Sequence, residues 1–212
     1  MPLPEDLQAR LARPLPGVDA QLRVAHPARR LDVPAGVTPR AAGVLVLLYV
    51  GADGGWRFPL IERTSDHAAD RHRGQIGLPG GKYEPSDGDL TVTALREAEE
   101  EVGVPQPDVR VLGRLTPLYI PVSNFRVTAT VGFAERRPTY RRQPSEVARI
   151  LEAPLAELLD EGGVRHRDVA LDGRMTLKRV PYFDLAGEVV WGATAMMLSE
   201  LRTVLREIGA AA

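Results

Sequence analysis

A glutamate-rich helix at residues 89–102 constrains the fold and the chemistry of this chain more than any other segment. Its second half reads Arg-Glu-Ala-Glu-Glu-Glu-Val-Gly from residue 96. At about 100° per residue, Glu100 lies about 60° to one side of Glu97 and Glu101 about 40° to the other. Three carboxylates therefore share an arc of about 100° on one side of the helix.

The same helix carries an apolar side. Leu95, Ala98 and Val102 recur at i, i+3 and i+7, on the side away from the carboxylates. This spacing predicts that the helix packs on a sheet, with the acidic and apolar faces separate. Asp87 or Asp89 is expected to cap the amino end of the helix.

The crowded carboxylates favour a metal site. Like charges at i,i+4 destabilise a helix by a few tenths of a kcal/mol, and the helix dipole disfavours anions near the carboxyl end. A hard divalent cation relieves both effects, and Mg²⁺ and Mn²⁺ prefer carboxylate oxygens. A run of glutamates is more often an ordinary solvated face. The joint pattern argues for a site here, because these residues stand at fixed offsets: Arg96, Glu97, Glu100, Glu101 and Gly103.

The rest of the chain predicts one mixed α/β domain at residues 41–212, preceded by an N-terminal extension at 1–40 whose short helix packs on the domain. Residues 13–40 are expected to be extended, and Pro79–Gly81 is expected to break a strand. Strands are predicted at 43–50, 56–63, 75–78, 109–120, 126–133 and 146–151, a hairpin at 164–180 turning at Asp172-Gly173, and helices at 5–14, 154–159 and 193–208.

The composition and the charge of the chain argue against several classes of function. The net charge is −1, which gives no electrostatic case for binding nucleic acid or an anionic membrane. The absence of cysteine excludes a thiolate zinc site and a cysteine nucleophile. The longest apolar run, Ala41–Val50, is far shorter than the roughly 20 residues that span a bilayer. The first residues do not resemble a signal peptide, so a cytoplasmic location is expected.

The glycine loop and the helix together resemble the box of the Nudix hydrolases. Residues 96–104 match the helix half at nearly every specified position, with Ala98 as its small apolar residue. In the loop half, counted from Gly81, the acid is Asp87 rather than glutamate, and one extra residue separates it from Arg96.

Residues upstream of the box are similar to the additional signature of coenzyme A-directed Nudix enzymes. A strand ends at Arg63, a basic loop follows, and Gly74-Gln75 leads to Pro-Gly-Gly at 79–81. Leu78 stands where that signature has an aromatic residue, and Asp70, next to Arg71, where it has arginine. Further likenesses lie at Ile120–Val127, Glu146–Val147, Pro154-Leu155 and Trp191–Ala195.

The resemblance implies an α/β/α sandwich with a mixed sheet that hydrolyses the diphosphate of coenzyme A or a derivative, using Mg²⁺ or Mn²⁺. The products would be adenosine 3′,5′-bisphosphate and 4′-phosphopantetheine. Glu97 and Glu101 are the expected ligands, Glu100 a ligand or the base, and Arg96 a residue that orients Glu97 or the loop acid. Glu146 is either a further ligand or an ordinary strand-edge acid.

Substrate contacts are expected from residues before and within the box, where arginine suits bidentate binding of phosphate. Gly80 and Gly81 would let the backbone bend tightly around the site. The expected substrate-binding residues are Arg63, Arg71, Gly80, Gly81 and Lys82, with His72 as a further candidate.

Two alternatives remain open at this stage. The same chemistry could act on another nucleoside diphosphate derivative, such as ADP-ribose or a dinucleotide. The chain could instead be a non-catalytic nucleotide sensor, although such a protein would typically have lost a box carboxylate. The expected partner is a small-molecule substrate, with a homodimer left open.

Overall fold

The computed structural model describes residues 3–64, 74–171 and 175–210. In these residues the helices are α1 (Leu3–Leu11), α2 (Gly17–Leu22), α3 (Leu90–Val102), α4 (Leu155–Leu159) and α5 (Gly192–Glu207). The strands are β1 (Arg40–Val50), β2 (Trp56–Arg63), β3 (Ile76–Gly77), β4 (Gly80–Lys82), β5 (Arg110–Arg114), β6 (Leu118–Ile120), β7 (Phe125–Phe133), β8 (Val147–Pro154), β9 (Val164–Leu171), β10 (Met175–Leu185) and β11 (Glu188–Trp191).

The described strands form two sheets. The larger one runs β3-β2-β1-β7-β5, with β4 also paired to β1, β6 to β7 and β8 to β2. Strands β1 and β7 are parallel and the other pairs are antiparallel, so this sheet is mixed. The smaller sheet has the order β11-β10-β9.

Strand β1 separates two apolar cores, because successive side chains of a strand point to opposite faces. Leu45, Leu47 and Tyr49 pack in one core with α3, while Val46 and Leu48 pack in the other with α1 and α5. Helices thus cover both faces of a mixed sheet. The predicted α/β/α architecture is confirmed.

The secondary structure differs from the prediction at four places. Residues 13–40 are not extended throughout, since α2 forms there. Strand β4 begins within the predicted break at Pro79–Gly81 and pairs with β1. The predicted strand 109–120 is divided into β5 and β6. Strand β11 was missed, and the predicted turn at Asp172-Gly173 lies outside the described residues.

The segment before β1 is joined to the rest of the fold by a buried carboxylate. Glu200 of α5 is fully buried. It accepts hydrogen bonds from the backbone N–H of Gly17 (3.0 Å), from Gln21 Nε2 (2.9 Å) and from Thr116 Oγ1 (2.6 Å). Leu7 and Leu11 of α1 pack in the same core as α5. Helices α1 and α2 are therefore part of one packed structure with α5.

In the part of the chain that the structure describes, we find no helix that combines the length and the apolar character needed to cross a membrane.

Candidate metal and substrate site

Helix α3 begins and ends where its capping residues place it. The side chain of Asp89 accepts hydrogen bonds from the backbone N–H of Thr91 (2.6 Å) and Val92 (3.1 Å), which confirms Asp89 rather than Asp87 as the N-cap. Gly103 ends the helix in the left-handed conformation at φ 76°. Gly43 of β1 lets the helix approach the sheet, since an added Cβ would overlap the carbonyl oxygen of Leu90.

The apolar face of α3 is centred differently from the prediction. Ala94, Ala98 and Val102 are fully buried, whereas Leu95 packs at the rim of the same core. These three buried residues, at i, i+4 and i+8, centre the core-facing side on Ala98, and Glu101 lies only about 60° from Ala98 around the helix. Glu101 is consequently 1% exposed. The prediction that the acidic and apolar faces are separate is wrong at this residue.

Three carboxylates lie close together around the buried Glu101. Glu97, Glu101 and Glu146 each place one carboxylate oxygen within 4.8 Å of the other two. Glu97 is half-buried, Glu101 buried and Glu146 exposed, so the cluster opens to solvent at one side. This acidic cluster, Glu97, Glu101 and Glu146, is the centre of the candidate site.

Glu101 is fixed by two donors. The backbone N–H of Gly80 donates to Glu101 Oε2 at 2.7 Å, and Nη1 of Arg63 lies 3.5 Å from Oε1. Burial nevertheless raises the pKa of the Glu101 carboxyl to about 7, against the lowering effects of Gly80 and Arg63 and with the added repulsion of Glu97 and Glu146. An ionised group at this position therefore lacks sufficient compensation from the protein alone.

Gly81 is required by the position of Glu97. A Cβ added at Gly81 would lie 2.5 Å from the carboxylate atoms of Glu97. Gly80, at φ 151°, has no space either, because its Cβ would overlap the carbonyl oxygen of Gly43. Both glycines allow β4 to pass directly beneath the acidic cluster. Burial also raises the pKa of Glu97, which Arg96 partly counteracts.

Arg96 connects the loop to the helix carboxylates. Its Nε lies 2.8 Å from Asp87 Oδ1, its Nη2 3.0 Å from Glu97 Oε1 and its Nη1 3.0 Å from Glu100 Oε2. Nη2 also donates to the carbonyl oxygen of Lys82 at 3.2 Å. Arg96 therefore orients both Glu97 and the loop acid.

Asp87 anchors the loop despite the extra residue before Arg96. Its Oδ2 accepts from the backbone N–H of Glu84 (2.9 Å) and from Thr93 Oγ1 (2.8 Å). The hydrogen bond from Arg96 holds the pKa of Asp87 well below its usual range. Asp87 thus joins the loop after β4 to helix α3.

Glu146 comes to the cluster from a distant part of the chain. The backbone N–H of Gln143 donates to the carbonyl oxygen of Glu101 (2.9 Å), and that of Thr64 donates to the carbonyl oxygen of Glu146 (2.9 Å). The Thr64 hydroxyl donates to Ser145 at 2.8 Å. The turn that carries Glu146 is therefore held between the ends of α3 and β2. Sequence reasoning could name Glu146 as a candidate but could not place it.

The other predicted site residues lie in different places. Arg63, Gly80 and Gly81 lie at the acidic cluster, as described above. Glu100 is not part of the cluster; its side chain is 57% exposed and pairs with Arg96. Lys82 is exposed, at the end of β4. Arg71 and His72 lie outside the described residues.

The donor set of the acidic cluster fits a hard divalent cation. Three carboxylates supply oxygen ligands only, and an exposed side leaves room for waters and phosphate oxygens. Burial, with the added repulsion of Glu97 and Glu146, raises the pKa of Glu101, and a bound cation would offset both effects. Mg²⁺ and Mn²⁺ both suit such a set.

The sequence is similar to that of known proteins. The NUDIX domain model matches residues 39–175. An uncharacterised Nudix hydrolase, NudL, from Yersinia enterocolitica is 39% identical over 142 residues, which cover 67% of this chain and 71% of that protein. Another, from Photorhabdus laumondii, is 38% identical over 130 residues, 61% of this chain and 68% of that protein.

Solved structures share the fold. The MutT protein from Methanosarcina mazei aligns with a TM-score of 0.51 at 17% identity, covering 82% of this chain and 98% of that one. The Nudix hydrolase RenU from M. smegmatis aligns at 0.50 and 15% identity, covering 81% and 86%. The family model matches more than half of this chain, and the chain therefore belongs to the family of Nudix hydrolases.

Proposed function

We propose that this Nudix hydrolase cleaves the diphosphate bond of coenzyme A or its derivatives, in a reaction that depends on Mg²⁺ or Mn²⁺. The products are adenosine 3′,5′-bisphosphate and 4′-phosphopantetheine. The observation that carries the proposal is the convergence of Glu97, Glu101 and Glu146 beside Arg63. Nudix hydrolases use divalent metal ions, and this oxygen-only donor set is compatible with one.

The proposed ligands are Glu97 and Glu101 from α3 and Glu146 from the turn before β8. Glu100 is a further ligand or the base, reached by a rotation of its exposed side chain away from Arg96. A bound divalent cation supplies neutralisation of charge on the phosphoryl oxygens and activation of a water. Arg96 acts as a positioning residue, because its guanidinium holds Glu97 and Asp87 at the same time.

Phosphate binding is assigned to Arg63 and Lys82. Arg63 is 37% exposed at its side chain and lies beside the buried Glu101, so its remaining N–H groups can bind a phosphoryl oxygen. Lys82 is exposed at the end of β4, next to the glycines that face the cluster. Arg71 is proposed as a further contact on the resemblance alone.

The coenzyme A assignment rests on the signature before the box. Arg63 and Gly74-Gln75 occur in that order in the chain, and the structure joins them: the backbone N–H of Arg63 donates to the Gln75 carbonyl oxygen at 3.1 Å. Leu78, which replaces an aromatic residue of the signature, is buried in the core with α5. This replacement therefore changes a residue of the core.

The test is a substrate panel. Wild-type protein with Mg²⁺ is incubated with coenzyme A, ADP-ribose and dinucleoside diphosphates, and the products are separated by chromatography. We expect coenzyme A to give the two products named above at the highest kcat/KM. Survival of coenzyme A while another member of the panel is cleaved would overturn the substrate assignment.

A pair of variants controls the panel. Glu101→Gln removes a proposed ligand and is expected to lower kcat/KM by more than about a hundredfold, since even indirect support of a metal ligand is worth 10- to 100-fold. Glu99→Gln changes the same residue type on the opposite side of α3, where Glu99 accepts from Gln106, and should retain activity. Full activity of Glu101→Gln would contradict the proposed site.

A further inference from the structure

A cavity outside the acidic cluster lies between the edge of the large sheet and the small sheet. It has a volume of about 330 Å³. Gly74 and Gln75 form one wall, Arg167 to Ala170 of β9 a second, and Glu188, Val189 and Trp191 of β11 a third. We call it the β9–β11 cavity. Its size is at the lower end of ligand pockets, which suits one end of a substrate rather than the whole molecule.

The β9–β11 cavity is connected to the acidic cluster through Arg63. The backbone N–H of Gly74 donates to the Arg63 carbonyl oxygen at 2.9 Å, and the Arg63 N–H donates to Gln75. The guanidinium of the same arginine lies 3.5 Å from Glu101. Arg63, which is proposed to bind phosphate, is therefore hydrogen-bonded through its backbone to two residues of the cavity wall.

Two side chains of the cavity, Trp191 and Arg167, lack the packing or ion-pair contacts that would give them a structural role in the described part of the chain. Trp191 is half-buried but packs in neither apolar core there and stacks on no other ring. Arg167 is exposed and has no ion-pair partner among the described residues. An unpacked indole and an unpaired guanidinium in one cavity are suited to an aromatic ring and an anion.

The acids that line the β9–β11 cavity do not neutralise Arg167. Asp168 accepts from Lys178 Nζ at 2.7 Å and from the backbone N–H of Arg179 at 3.0 Å. Glu188 accepts from Arg149 at 2.7 Å. Both carboxylates are thus already paired, and among the described residues that line the cavity the guanidinium of Arg167 is the charge without an ionic partner.

From these contacts we infer that the β9–β11 cavity binds the nucleoside end of the substrate, with the base on Trp191 and a ribose phosphate on Arg167. The inference rests on the proposed function. Of the two ends of coenzyme A, only the nucleoside end has both an aromatic base and a phosphate monoester; the pantetheine end has neither. Arg167 is then a specificity residue that distinguishes substrates with a 3′-phosphate from those without one.

The test compares coenzyme A with dephospho-coenzyme A, which lacks only the 3′-phosphate. For wild type we expect the higher kcat/KM with coenzyme A. Arg167→Gln should lower kcat/KM for coenzyme A by about tenfold, through KM, because one charge-assisted contact is lost. Its kcat/KM for dephospho-coenzyme A should change by less than about twofold, so the preference for coenzyme A disappears.

Arg165→Gln is the matched control. Arg165 lies on the same strand but pairs with Asp184 and is not part of the cavity wall, so this variant should keep the wild-type preference. If Arg167→Gln keeps the wild-type preference as well, the inference is wrong while the proposed function stands. If wild type cleaves neither compound, the proposed function fails and the inference with it.

Discussion

At residue 101 the fold buries a carboxylate without enough charge to balance it. Glu101 has one backbone donor and one arginine at 3.5 Å, and burial raises its pKa to about 7. A folded domain gains no stability from the ionised form of such a group, because desolvation disfavours the charged form. The arrangement is explained by a function that requires an anionic oxygen beside Glu97 and Glu146.

The burial of Glu101 predicts a pH dependence of stability in metal-free protein. The folded-state pKa lies above the unfolded value of about 4.3, so the folded state binds more protons between the two values. The favourable contribution is fully present below about pH 4 and is lost as the pH rises through about 7. With 1.36 kcal/mol per pKa unit, the loss is at most about 4 kcal/mol.

Chemical denaturation of metal-free protein between pH 4 and pH 8 measures this effect. Glu101→Gln cannot ionise and should show a flatter decline in the free energy of unfolding than wild type. Mg²⁺ should restore part of the stability of wild type at pH 8 but not that of the variant. Identical pH profiles for the two proteins would argue against a buried, unbalanced Glu101.

Gly81 offers a second prediction at the scale of single residues. In Gly81→Ala the new Cβ would lie 2.5 Å from the Glu97 carboxylate, so Glu97 must move away from the cluster. We expect the affinity for Mn²⁺ to fall by about tenfold or more, as measured by calorimetry. Gly162→Ala is the control, because its Cβ would have only an ordinary contact, 3.5 Å from Asp160; equal Mn²⁺ affinity of both variants would disprove the requirement for glycine.

Among the elements, α3 was the most predictable, because its spacing and caps are local properties of the sequence. The helix, its C-terminal Gly103 and the proximity of Glu97 and Glu101 all follow from a period of 3.6 residues. The rotation of the helix about its own axis does not follow from the period. The buried residues at i, i+4 and i+8 face the core, and Glu101 is buried beside them. Orientation is decided by the sheet, where Gly43 allows the helix to approach.

The contacts that periodicity could not predict are the non-local ones. Glu146 reaches the cluster through backbone hydrogen bonds of Thr64 and Gln143, which come from separate parts of the chain. The sequence predicts a break where β4 lies, because glycines permit turns as well as close packing. Here Gly80 and Gly81 pair with β1 beneath the acidic cluster.

The cap of α3 yields a prediction for the element as a whole. Asp89→Ala removes the acceptor of two backbone N–H groups and should lower the free energy of unfolding by about 1 kcal/mol. Asp89→Asn keeps an acceptor and should cost much less. Thermal denaturation of both variants checks this; equal destabilisation by the two substitutions would contradict the capping role.

For the whole molecule, the segment before β1 is packed into the fold rather than appended to it. Glu200 has donors on both sides, Gly17 and Gln21 from that segment and Thr116 from the connection between β5 and β6. We propose that residues 1–40 are an N-terminal extension of the domain at 41–212 that folds together with it.

A matched pair of leucines tests this joint folding. Leu7 is 0% exposed and Leu22 is 44% exposed. Leu7→Ala should lower the free energy of global unfolding by about 2–5 kcal/mol, the cost of removing a core leucine. Leu22→Ala should cost less than about 1 kcal/mol, because little buried surface is lost. Unchanged global stability in Leu7→Ala would show that the segment unfolds separately.

The central claim is that Glu97, Glu101 and Glu146 hold a divalent cation together. The most direct measurement is calorimetric titration of Mn²⁺ into wild type and four single variants, in which glutamine replaces Glu97, Glu99, Glu101 or Glu146. We predict that the three cluster variants bind Mn²⁺ at least about tenfold more weakly than wild type, while Glu99→Gln binds it equally well. Wild-type affinity in Glu146→Gln or Glu101→Gln would contradict the account.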